Sequence, residues 1–181
     1  MPSPRREELL ELAYDYVLTN GLTDLSLRPL AGAIGSSPRV LLFLFDSKEG
    51  LVRALLQRAR TAELELLEGL PPGDLAATAE RVWSWLAAAE HRGLLRLWVE
   101  GYARSLLDPG GPWGGFAEAT VDDWLAVLAA AQPASLRRTR AGAAQRTAVL
   151  AVLRGALLDL LATGDERRTT EAVTAQLARL A

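Results

Sequence analysis

The chain contains no cysteine, one histidine (His91) and one lysine (Lys48). Without thiols there is no disulfide framework, no thiolate metal site and no cysteine nucleophile. A single imidazole excludes a histidine-rich metal site and a paired Glu-x-x-His di-metal site. Long apolar runs are missing too. The longest uncharged stretch, residues 124–136, falls short of the roughly 18 apolar residues that span a bilayer. The acidic N-terminal segment holds no apolar run of the kind a secretory signal needs. An excess of one charge is absent as well: 20 basic against 22 acidic side chains, net −2. That excludes a polybasic protein but leaves room for a local basic face. The expectation is a soluble, cytoplasmic protein with no membrane partner, no metal, no cofactor and no catalytic residues.

What is present favours helix. Half of the 181 residues are apolar, enough to build a sizeable core. Apolar positions recur with the helical period almost throughout, and two-residue alternation is nearly absent. Ala, Leu, Arg and Glu dominate. The pattern predicts an all-α fold of about nine helices: 4–20, 27–34, 37–44, 47–70, 74–91, 93–107, 115–131, 142–163 and 166–180. Stop signals punctuate them at Asn20-Gly21, Gly35, Pro71-Pro72-Gly73, Pro109 to Pro112, Pro133 and Gly164. Residues 135–139 read as an exposed turn or an early helix. Ser26 and Ser47 are suited to capping the helices that follow them.

Within the first 50 residues, two short helices meet at Gly35-Ser36. Helix, glycine-bearing turn, short helix is the pattern of a helix-turn-helix, whose second helix fits a DNA major groove. Around it stand Gly21, Ser26-Leu27-Arg28, Leu30-Ala31, Ile34-Gly35-Ser36-Ser37, Leu41, Phe45, Ser47-Lys48-Glu49 and Leu51. This spacing resembles the DNA-binding domain of the tetracycline-repressor (TetR) family, over about residues 5–60. The remaining chain is compatible with the family's body in length and class but carries no motif.

The resemblance implies two domains. A DNA-binding domain spans residues 1–50, with the helix-turn-helix at about 27–46. A ligand-binding and dimerisation domain spans 51–181, and the fourth helix links them. It implies a homodimeric transcription regulator, usually a repressor, that binds a pseudo-palindromic double-stranded operator and responds to a small-molecule effector. Carried over position by position, the family's DNA contacts fall on Ser26, Arg28, Ser37, Pro38, Arg39, Val40, Leu42, Phe43 and Lys48. The family usually has a hydroxyl at the position of Val40, Tyr at that of Leu42, and His or Tyr at that of Leu44. Backbone contacts through those positions are therefore fewer or differently placed here, and Leu42 and Phe43 can instead touch thymine methyls. Residues 1–60 carry net +1, so phosphate attraction is modest. Arg5 and Arg6 can reach a minor groove or remain solvated.

Elsewhere the residues keep alternatives open. Trp83, Trp98, Tyr102 and Trp124 are candidates to line a pocket for an apolar or aromatic ligand; large aromatics also fill ordinary helical cores. His91 sits at a helix end and suits the helix dipole. Glu100 lies four residues from both Arg96 and Arg104, as in a solvated salt-bridge row. The helix at 142–163 has little polar surface, which asks for a second chain or for a central place in the core. Arg154, Leu157, Leu158 and Leu161, with Val173 and Leu177 on the last helix, are the dimer-interface candidates. Two other functional readings use the same residues. One is a helical dimer that has lost specific DNA binding and acts through protein or small-ligand contacts. The other is an enzyme with a helical apolar pocket, for which no nucleophile–base pair, metal cluster or phosphate loop is present.

Overall fold

A computed structural model describes residues 3–22, 24–68 and 74–179. Among them the fold is all-α, with ten α-helices: α1 (Pro4–Asn20), α2 (Leu27–Ala33), α3 (Pro38–Phe45), α4 (Lys48–Glu68), α5 (Leu75–Ala87), α6 (Arg92–Leu107), α7 (Phe116–Ala130), α8 (Ala134–Arg137), α9 (Arg140–Thr163) and α10 (Glu166–Leu177). Of residues 135–139, the first three thus lie in a one-turn helix, and Thr139 caps α9. The stop signal at Pro71-Pro72-Gly73 lies outside the described residues.

The helix ends follow from local chemistry. Ser3, Ser37, Asp74, Thr139 and Asp165 each accept a backbone N–H from the first turn of the helix they precede, satisfying donors that the helix leaves orphaned. Proline occupies the start of α1 and α3, where its missing N–H breaks no helical bond. The Ser47 hydroxyl accepts from Gly50 N at 2.9 Å as expected, whereas the Ser26 hydroxyl makes no capping bond.

One expected helix is divided. Residues 74–91 are not continuous: α5 ends at Ala87 and a single 3-10 turn covers Ala89–His91. Ala88 turns extended, with ψ 133°, and side chains from beyond the break cover the carbonyls it leaves. His91 Nδ1 bonds the Trp85 carbonyl at 2.8 Å and Arg92 donates to the Ala87 carbonyl at 3.1 Å. These bonds satisfy carbonyls that a continuing helix would have bonded through its backbone. The His91 ring also stacks on Trp85, centroids 4.2 Å apart.

The chain forms two compact units that interleave in sequence. One joins the residues up to Glu63 with Gly93–Ala119; the other joins Leu64–Arg92 with the residues from Thr120 onward. In the first unit Leu9, Ala13 and Val17 of α1, Leu30 and Ala31 of α2, Leu41 and Phe45 of α3, and Leu51 and Leu55 of α4 form a buried core. In the second, α5, α9 and α10 pack on one another around Val82, Leu86, Leu153, Leu157, Leu160, Val173 and Leu177.

Candidate DNA interface and ligand cleft

The first unit displays α3. Leu41 and Phe45 point into the core, and Arg39, Val40, Leu42 and Phe43 point out, with Phe43 83% and Leu42 42% exposed. Three of the eight residues on this short helix, Val40, Leu42 and Phe43, are exposed apolar side chains, an arrangement that signals a contact face. Ser26 and Arg28 at the start of α2, and Lys48 at the start of α4, are exposed in the same unit. Ser37 and Pro38 are partly exposed, and the Ser37 hydroxyl is occupied by the Val40 amide at 3.3 Å.

Three features that hold α3 are invisible to local sequence patterns. Arg6 donates to the Leu44 carbonyl at 3.2 Å, and its guanidinium lies 4.8 Å from the centre of the Phe45 ring. Arg6 therefore fastens the C-terminal end of α3, and Arg5 pairs with Glu8 at 2.7 Å. Second, Glu100 of α6 accepts the Leu22 amide at 2.9 Å. It ties α6 to the corner between α1 and α2 rather than forming the expected salt-bridge row. Third, Gly50 is the unassigned position of the Ser47 to Leu51 motif, and a Cβ there would overlap the Phe45 carbonyl oxygen.

The joint between α3 and α4 is a γ-turn. Asp46 has φ 66° and ψ −36°, and Ser47 N donates to the Phe45 carbonyl at 2.8 Å. This turn with positive φ is strained for a residue bearing a Cβ. Asp46→Gly is expected to raise stability by about 1 kcal/mol, read as a higher midpoint in urea unfolding. An unchanged or lower midpoint would show that the Asp46 side chain supports the turn.

The aromatic candidates separate. Trp98 and Tyr102 lie on α6 in the first unit, ring centroids 5.0 Å apart. Trp83 and Trp124 are buried in the second, where Trp83 Nε1 donates to Thr170 at 2.9 Å. None of the four lines the cleft of about 300 Å³ that opens in the first unit. That cleft lies between α4 and the segment joining α6 to α7. Its walls include Arg53, Leu56 and Arg60 on α4, and Trp113 and Phe116 opposite. Trp113 carried no helical periodicity, so the only sequence signal for it was its place in a glycine- and proline-rich loop.

The interface candidates also divide. Leu157, Val173 and Leu177 are buried within their own unit, with Leu157 3% exposed. Leu158 is 50% exposed, and Arg154 and Leu161 are partly exposed. Beside Leu158, small residues crop out along α9 at Ala148, Ala151, Gly155 and Ala162, and along α10 at Ala172 and Ala175. Asp159 and Arg168 join the two helices through hydrogen bonds of 2.7 and 2.6 Å. Those bonds hold the Asp159 carboxyl below its usual range and push the Arg168 guanidinium further up.

Among the described residues no helix is long and apolar enough to cross a membrane, and no group of three His, Asp or Glu side chains is placed to hold a metal ion.

No protein-family model matches the sequence, and no curated protein sequence matches it either. Solved structures do. A TetR transcription regulator from Haloarcula marismortui superposes with a TM-score of 0.75 at 15% identity, covering 97% of each chain. The multidrug binding protein EbrR complexed with ethidium gives 0.72 at 25% identity, covering 96% of this chain and 98% of its own. A TetR-like transcriptional regulator from Rhodococcus sp. gives 0.65 at 20% identity, covering 99% and 97%. The likeness spans nearly the whole of every chain compared, and the chain has the TetR-family fold.

Proposed function

We propose that the protein is a DNA-binding transcriptional regulator. It acts in the cytoplasm as a homodimeric repressor of a pseudo-palindromic operator and is modulated by a small apolar or aromatic ligand. The observation that carries this reading is the orientation of α3, with Leu41 and Phe45 buried and Arg39, Leu42 and Phe43 presented outward. The fold shared with TetR-type regulators supports it, as does the ethidium carried by EbrR. The α9 and α10 face around Leu158 is the surface proposed to pair across a two-fold axis. Its small side chains let helices approach closely, and its charges at Asp159 and Arg168 are already neutralised within the chain. Such pairing places two copies of α3 on successive half-sites.

The test begins with selection of bound DNA from random oligonucleotides. Arg39 is the one long cation on α3, suited to a guanine edge; Lys48 is suited to a phosphate. Arg39→Ala is expected to relax selectivity at one base position, by about 1–3 kcal/mol. Lys48→Ala is expected to weaken all sequences alike and to lower the salt slope by about one. Equal loss on operator and scrambled DNA from Arg39→Ala would remove its reading role. Failure to select any sequence would favour the second reading, a helical dimer that acts through protein or small-ligand contacts, which the apolar Val40, Leu42 and Phe43 surface also fits.

A further inference from the structure

We propose that the cleft between α4 and the loop before α7 binds a small aromatic carboxylate, its anionic head on Arg53 and its ring against Trp113. Arg53, Leu56, Gln57 and Arg60 fall on one face of α4 at spacings of three and four residues, and all four line the cleft. Trp113 and Phe116 line the opposite wall, and both are buried, as is Leu56. The lining therefore holds two guanidinium groups and no carboxylate. Arg53 is exposed and makes no ion pair among the described residues.

Each part of the ligand class follows from a part of this wall. Guanidinium is planar and always charged, and it donates two parallel N–H bonds to a carboxylate. The buried aromatic surface favours a flat apolar body. A volume of about 300 Å³ is at the small end for ligand sites. It equals the liquid volume of about ten waters, which suits a single ring with a short acid group. A planar cation finds the exposed Arg53 guanidinium there and no carboxylate in the lining.

The loop is built rather than loose. Gly114 N bonds Gly111 O at 3.1 Å, Phe116 N bonds Trp113 O at 3.2 Å, and Ala117 N bonds the Ser105 hydroxyl at 3.1 Å. Gly101 brings α6 against Leu56 and Phe116, so closely that a Cβ there would lie 2.9 Å from Leu56. A ligand bridging α4 to this loop acts on the helix whose first turn abuts the end of α3 at Gly50. Its effect on DNA rests on the regulator reading; its binding does not.

The experiment uses three ligands with one ring and different charge: benzoate, benzamide and benzylamine. Binding to the full chain is followed by calorimetry at low and high salt. Benzoate is expected to bind about tenfold more tightly than benzamide, with benzylamine weakest, and the benzoate advantage should shrink as salt rises. Arg53→Gln should remove that advantage, weakening benzoate far more than benzamide, with thermal stability unchanged; Arg53→Lys should restore part of it. Trp113→Phe should weaken benzoate and benzamide together. Equal affinity for the three ligands, preference for benzylamine, or no binding at millimolar concentration would each overturn the site. Benzoate binding that leaves the affinity for selected DNA unchanged would overturn its regulatory consequence. A chain that binds benzoate but selects no DNA would uphold the site and overturn the regulator reading.

Discussion

Gly50→Ala is expected to destabilise the protein and abolish selective DNA binding, although alanine is ordinarily the better helix former. In an open helix this change is favourable by about 0.5–1 kcal/mol. At position 50 a methyl would overlap the Phe45 carbonyl oxygen and lie 3.4 Å from the Ser47 hydroxyl. Neither neighbour can retreat cheaply. The Phe45 carbonyl accepts the Ser47 amide in the γ-turn, and the Ser47 hydroxyl accepts the Gly50 amide. Overpacking of this kind costs about 1–3 kcal/mol, and here it falls on the last carbonyls of α3. Gly32→Ala is the control. Gly32 is a helical glycine with nothing within 4 Å of its missing Cβ, so the same change there should stabilise by about 0.5–1 kcal/mol. Urea unfolding of both variants gives the sign directly. A Gly50→Ala variant as stable as Gly32→Ala would mean that α3 and α4 do not meet so closely.

The adjacent leucines of α9 are expected to fail in opposite ways when changed to glutamate. Leu157 is packed against the second unit's own core, so Leu157→Glu buries an unpaired charge and unfolds that unit. Leu158 stands half exposed among small residues. Leu158→Glu should leave the protomer folded and place like charges across the proposed two-fold seam, each substitution felt twice. Sedimentation of the wild type at micromolar concentration should show a dimer, Leu158→Glu a monomer with native helix content, and Leu157→Glu a loss of helix signal. Operator affinity should fall with the dimer. A wild type that sediments as one monomeric species while binding operator fully would refute the paired-half-site arrangement.

The positions from Gly21 to Leu51 were readable because their contacts are nearly local. Leu41 and Phe45 share a face by helical spacing, and Ser47 caps within its own turn, whereas Ser26, equally suited by residue type, makes no capping bond. Ends met by side chains that fold back from beyond the helix were not readable. The Ala87-Ala88 region has strong helix propensity and no glycine or proline, yet its helix stops where Ala88 turns extended and His91 and Arg92 fold back onto the carbonyls behind it. Arg6 and Leu44 are 38 residues apart, and Leu22 and Glu100 are 78 apart. No periodicity reports such pairs. Leu157 and Leu158 illustrate a further limit. A helix apolar on every side asks for cover on every side, but the pattern alone does not say which face the protomer covers itself.

The interleaving of the two units bears on how such a protein can be recombined. Residues up to Glu63 depend on Gly93–Ala119: Glu100 holds the Leu22 amide, Gly93 lies against the Leu18 carbonyl, and Phe116 and Leu56 both meet Gly101. A chimera that transplanted only the first 63 residues onto a foreign body would leave this half of the core behind. If α3 reads DNA as proposed, a specificity swap therefore favours grafting the outward positions of α3 alone, because α3 and its support are threaded through the chain rather than joined end to end.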